Sequence, residues 1–134
     1  MNEQQNVKLV QTAYESFGRG DIQGVLNSLS DQVEWRTPKP EGVPFGGDYR
    51  GRDGVGRFFS ELSQYEEITR FEPREFIAQG DRVVALGFYA SKVKATGRTA
   101  QSEWVHLFTI QNGKVVKFQE FYDTAAALIA HRKV

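Results

Sequence analysis

The stretch Thr99–Tyr122, TAQSEWVHLFTIQNGKVVKFQEFY, reads as two long strands meeting at Asn112-Gly113. Asn-Gly between alternating apolar runs is a strong hairpin signal, because both residues accept the left-handed backbone that a tight turn demands. Two registers are open. A two-residue Asn112-Gly113 loop sets Trp104, His106 and Phe108 beside Val115, Lys117 and Gln119. A three-residue loop with Gly113 in a bulge sets them beside Val116, Phe118, Glu120 and Tyr122. The second is preferred: a slip of one residue turns a whole strand over, and the first register buries Lys117 among aromatics. It also brings His106 and Glu120 onto one face of neighbouring strands.

Working outward, two more strands precede this hairpin, Ile68–Gln79 and Arg82–Lys94, with turn signals at Gly80-Asp81 and Thr96-Gly97. Four such strands joined by tight turns predict an antiparallel meander. Upstream, Val7, Val10, Tyr14 and Phe17 share one face of a helix ending at Gly18–Gly20. Asp21 is an N-cap for a second helix carrying Ile22, Val25, Leu26 and Leu29. Val33-Glu34-Trp35 reads as a short strand. Thr37–Asp48 holds Pro38, Pro40 and Pro44, so it cannot sit mid-sheet. Its Val43 and Phe45 predict a loop folded over the body of the protein. Asp53 is read as the cap of a third helix with Val55, Phe58, Phe59 and Leu62 on its apolar stripe. After the meander, Asp123 or Thr124 caps a short helix, Ala125–Ala130. Helices first and strands afterwards predict an α+β fold: one strongly curved antiparallel sheet, helices on its concave side, and a pocket between them.

Composition narrows the function. The 134 residues suit one domain spanning 1–134, and 40 % hydrophobic with 25 % charged residues is an ordinary globular balance. Seventeen basic residues offset seventeen acidic ones, which disfavours a nucleic-acid partner. The absence of Cys excludes disulfides and thiolate chemistry. His106 and His131 lack the spacing of a metal site, so no metal is expected. Gly51-Arg-Asp-Gly54 lacks the Lys-Ser/Thr pair of a phosphate loop. The opening MNEQQNVKLVQ has neither a cationic nor an apolar leader segment, and no apolar run spans a bilayer, so a cytoplasmic location away from membranes is expected.

Several segments in order resemble the SnoaL-like branch of the NTF2-like superfamily, which includes ketosteroid isomerases and polyketide cyclases. They are Tyr14-Glu-Ser-Phe-Gly-Arg-Gly-Asp21, Asp31-Gln-Val-Glu-Trp35, Tyr49-Arg-Gly-Arg-Asp-Gly-Val-Gly-Arg-Phe-Phe59, Asn112-Gly-Lys-Val-Val116 and Glu120-Phe-Tyr-Asp123. The resemblance implies a cone-shaped fold and dimers formed through the outer sheet face. The isomerase pattern transfers poorly, since Trp35 stands where its general-base Asp is required. The cyclase pattern fits best and maps its pocket His and acidic residue onto His106 and Glu120.

His106 is read as a neutral imidazole that exchanges a proton or bonds a ligand carbonyl, against the plainer role of a core histidine satisfied by backbone. Glu120, flanked by Phe118, Phe121 and Tyr122, is read as a base that abstracts a proton alpha to a carbonyl. Trp35, Trp104, Phe108 and Phe118 are candidate pocket walls, Tyr14 is a candidate pocket hydroxyl, and Tyr122 is a further candidate ligand-binding residue. Asp123 is read as a cap, Arg50, Arg52 and Arg57 as surface charges or partners of acids, and His131 as solvated. The expected activity is cofactor-independent acid/base chemistry on a small hydrophobic carbonyl compound; the alternative is a binding protein with the same pocket and no turnover. Val105, Leu107, Val115 and Phe121 on the reverse face of the hairpin predict a homodimer.

Overall fold

The computed structural model describes residues 2–133. Helices α1 (Glu3–Gly18) and α2 (Ile22–Asn27) lead into strand β1 (Leu29–Thr37). A short strand β2 (Gly47–Arg50) and helix α3 (Gly51–Tyr65) follow. Strands β3 (Glu66–Gln79), β4 (Arg82–Val93), β5 (Thr99–Gln111) and β6 (Lys114–Tyr122) then run consecutively, and helix α4 (Thr124–His131) ends the fold. One curved six-stranded sheet has the order β2-β1-β6-β5-β4-β3. The last four strands pair antiparallel as a meander, whereas β1 lies parallel to β6. The curved α+β fold expected from the sequence, with helices packed on one sheet, is the fold observed. No helix among the described residues is long and apolar enough to cross a membrane.

Local chemistry explains most boundaries. Asn2 caps α1 in a reciprocal box with Gln5, and Asp21 accepts from the Gly24 amide at the start of α2. Asp123 accepts from the Ala126 amide and caps α4. Alternation along β5 buries Ala100, Trp104, His106, Phe108 and Ile110 on the concave side. Val10 of α1 and Val55 and Phe58 of α3 close on the same core. Gly87 of β4 pairs with Trp104, and the indole lies against its backbone; a Cβ there would overlap Trp104 Cζ2 and the Glu72 carbonyl.

The sequence reading needs correcting in six places. The cap of α3 is Arg50, without a side-chain cap bond, and Asp53 sits inside the first turn, where a carboxylate suits the helix dipole. Leu29 opens β1 instead of extending α2, because Ser28 already caps that helix. The proline-rich loop gives way to strand β2 at Gly47, whose residues pair with β1. Strand β3 begins at Glu66, ahead of Ile68, and β4 ends at Val93.

The hairpin is the fifth. Its loop has two residues, Asn112 at φ 52° and Gly113 at φ 74°, joining Gln111 to its partner Lys114. Both central residues are left-handed, as a tight hairpin turn prefers. The aromatic-gathering register is nonetheless reached: a bulge between Thr109 and Ile110 shifts the ladder, so Phe108 faces Phe118 and Trp104 faces Tyr122. Val115, before the bulge, therefore pairs with Ile110 in the core and is absent from the reverse face. His131 is the sixth correction: it is buried, with Glu66 as its partner.

Candidate functional site

Strands β5 and β6 place the site. His106 and Glu120 are direct partners across the ladder, and Glu120 Oε2 lies 2.9 Å from His106 Nε2. From the opposite wall, Tyr14 of α1 brings its hydroxyl to 2.7 Å from His106 Nδ1. The imidazole is thus held at both nitrogens by side chains, and among the described residues no backbone group bonds it. Burial, reinforced by the negative charge of Glu120, pushes the Tyr14 phenol well above its ordinary range, so it remains an O–H donor. A neutral imidazole satisfies both contacts. Tyr14 donates to bare Nδ1, and Nε2–H donates to the Glu120 carboxylate.

Aromatic packing fixes the ring's plane. Trp104 stacks on His106 with centroids 4.0 Å apart, and Phe118 meets it edge-on at 4.8 Å. Trp35 of β1 stacks on Phe118 at 3.7 Å, a contact that the parallel β1–β6 pairing makes possible. Tyr14 touches Phe71, Phe76, Trp104 and Phe108 as well as His106.

These residues surround one cavity between helices and sheet. Tyr14, Trp35, Trp104, His106, Phe108, Phe118, Glu120 and Tyr122 all line it. It offers about 120 Å³ to the centres of water-sized molecules, against the roughly 10–15 Å³ that one water needs. Phe58, Phe59 and Leu62 of α3 and Pro38 and Phe45 of the proline-rich loop complete the apolar wall. That loop is anchored by buried Val43 and Phe45, and its Gly46 amide donates to the Tyr49 hydroxyl.

Of the remaining candidates, Arg50 pairs with Glu34, Arg52 with Asp31, and Arg57 lies over the Tyr49 ring, all away from the cavity. Among the described residues no cluster of His, Asp and Glu has the geometry to hold a metal. Glu66 and Tyr89 are among the lining residues that escaped sequence reading. Glu66 stands at the helix–strand junction, and Tyr89 lies mid-strand in β4. The alternation of β4, which also points Val83, Ala85 and Ser91 inward, was the signal for Tyr89.

Residues 10–118 match the SnoaL-like domain. The chain belongs to the SnoaL-like family. Its fold is shared by an NTF2-like protein from Burkholderia xenovorans, 36 % identical over 98 % of this chain and 99 % of that one, with a TM-score of 0.88. TerC, crystallised with polyporic acid, is 31 % identical over 96 % of this chain and 99 % of its own, with a TM-score of 0.86. An uncharacterized Mycobacterium tuberculosis protein is 21 % identical over 127 residues, 95 % of each chain. This SnoaL-like chain therefore presents the family fold with a Tyr–His–Glu chain on its cavity wall.

Proposed function

We propose that this protein is a cofactor-independent acid/base enzyme acting on a small hydrophobic carbonyl compound held in the cavity. The observation that carries the reading is the anchoring of His106 at both nitrogens, which fixes Glu120 Oε2 and leaves Oε1 to act on a ligand. Oε1 takes a proton from the carbon alpha to the carbonyl, and the electron pair of that C–H bond moves to the carbonyl oxygen as an enolate. Returning the proton at another carbon gives an isomer; attack of the enolate carbon on a second carbonyl closes a ring, and the proton held by Glu120 passes to the alkoxide so formed. His106, tied to Tyr14, positions the base and steadies its charge before the proton is taken and after it is returned. The cavity's aromatic walls lower the local polarity, which strengthens these interactions.

The alternative, binding without turnover, shares the cavity. It draws support from TerC, whose crystals contain polyporic acid. Tryptophan quenching by polyporic acid tests the pocket itself, since Trp35 and Trp104, both on its wall, are the chain's two tryptophans. Proton exchange into carbonyl compounds in deuterated buffer, with and without Glu120→Gln, tests the chemistry. Exchange unaffected by that substitution would exclude Glu120 as the base.

The outer sheet face supports a homodimer. Phe121 is 49 % and Ile77 51 % exposed, and Val105 and Leu107 are half-buried on the face that the helices leave uncovered.

A further inference from the structure

The cavity has a second polar end. Glu66, the first residue of β3, lines it, and its buried carboxylate has one protein partner at each oxygen. Ser91 Oγ donates to Oε1 at 2.6 Å, and His131 Nε2 lies 2.6 Å from Oε2. His131 sits in the last turn of α4, so the meeting of that helix with the start of β3 fixes the carboxylate in place. A buried ion pair is weak evidence for stability, because apolar replacements often serve as well. Its place on a cavity wall gives it another use.

Tyr89 and Tyr122 complete this end. Both line the cavity, their rings meet edge to face at 6.0 Å, and both lie in the field of Glu66 and Glu120. Neither phenol is hydrogen-bonded to a protein group among the described residues, and burial keeps both protonated. The wall thus offers a fixed acceptor with lone pairs to spare beside two free O–H donors. A group that both donates and accepts matches this set. An ether oxygen cannot donate.

We propose that Glu66 is a specificity-determining residue that accepts a hydrogen bond from a phenolic hydroxyl of the ligand, while Tyr89 or Tyr122 donates to the same oxygen. The inference rests on the cavity being a ligand site and deepens that reading by naming the ligand class, a hydroxylated aromatic. Ser91 and His131 are positioning residues that hold the carboxylate in place.

Calorimetric titration with 4-phenylphenol and its methyl ether, 4-methoxybiphenyl, tests it. The native protein is expected to bind the phenol about tenfold or more tightly than the ether, as a hydrogen bond to a charged acceptor implies. Glu66→Gln should shrink that ratio several-fold, and Glu66→Leu with His131→Leu, which removes the ion pair as a unit, should bring it near one. Glu120→Gln should preserve it. Equal affinity of the native protein for both compounds, a ratio that survives the Glu66 variants, equal weakening of both compounds by Glu66→Gln, or a ratio lost only with Glu120→Gln would each overturn the proposal. Failure of both compounds to bind would overturn the cavity reading together with it.

Discussion

Glu120 faces His106 directly across the β5–β6 ladder, with 2.9 Å between its Oε2 and the imidazole Nε2. Glu120→Gln keeps the shape and removes the base. Turnover should fall by ~10²-fold or more while ligand affinity survives, measured as kcat and Kd on the same preparation. A protein that only binds would show no turnover to lose.

Tyr14 holds the other nitrogen of that ring. Tyr14→Phe leaves His106 Nδ1 buried without a partner, which should cost ~1–3 kcal/mol in urea denaturation. The His106 ring resonances should shift as well, because the hydrogen bond that selects its tautomer is gone.

Gly87→Ala tests the packing behind the site. The new methyl meets Trp104 Cζ2 and the Glu72 carbonyl, a rigid indole on one side and backbone on the other. Neither yields easily. We expect a loss of ~1–3 kcal/mol or more and weaker ligand binding, since Trp104 carries the stacked His106 ring.

Alkaline pH should unfold the protein through its phenols. Burial raises Tyr14, Tyr89 and Tyr122 above the ordinary value of 10.0. The native state therefore keeps protons that the unfolded chain gives up. Stability from this source is complete below pH 10 and declines as pH rises above it, by up to ~1.4 kcal/mol per pH unit for a group such as Tyr14. Tyr14→Phe should flatten that decline in denaturation curves taken between pH 9 and 11, values chosen as roughly one unit either side of the phenol's ordinary range.

Phe121→Lys should yield a monomer if the outer face pairs two copies. Light scattering of the native protein at micromolar concentration should give about twice the 15.2 kDa chain mass, and the variant about half of that. A native mass of one chain would remove the dimer.

The meander was legible because each turn carries its own chemistry and each strand its own alternation, from Gly80-Asp81 to Asn112-Gly113. The candidate site was legible where one face of one hairpin gathers His106, Glu120 and the aromatics. The route to that register was not, because the bulge beside Thr109 arises from packing on both faces of the sheet and leaves no residue signature. His131 and Glu66 were missed for a related reason: each looks like an exposed polar residue near an element end, and only the tertiary meeting of α4 with β3 makes them a pair. The Asp53 misreading is local. Arg50 is a poor capping residue, so the sequence favoured the next carboxylate.

Trp35 rests on Phe118 through the parallel pairing of β1 with β6, two strands with most of the chain between them. During synthesis, β1 leaves the ribosome long before its neighbour exists. Until the final hairpin emerges, Trp35 and Val33 have no sheet to join, and the helices already made have no floor to cover. Folding of this chain is thus a late event that hinges on its last two strands, slow in the manner of distant pairings. Truncation anywhere within β6 should leave an aggregation-prone chain in place of a shortened version of the fold.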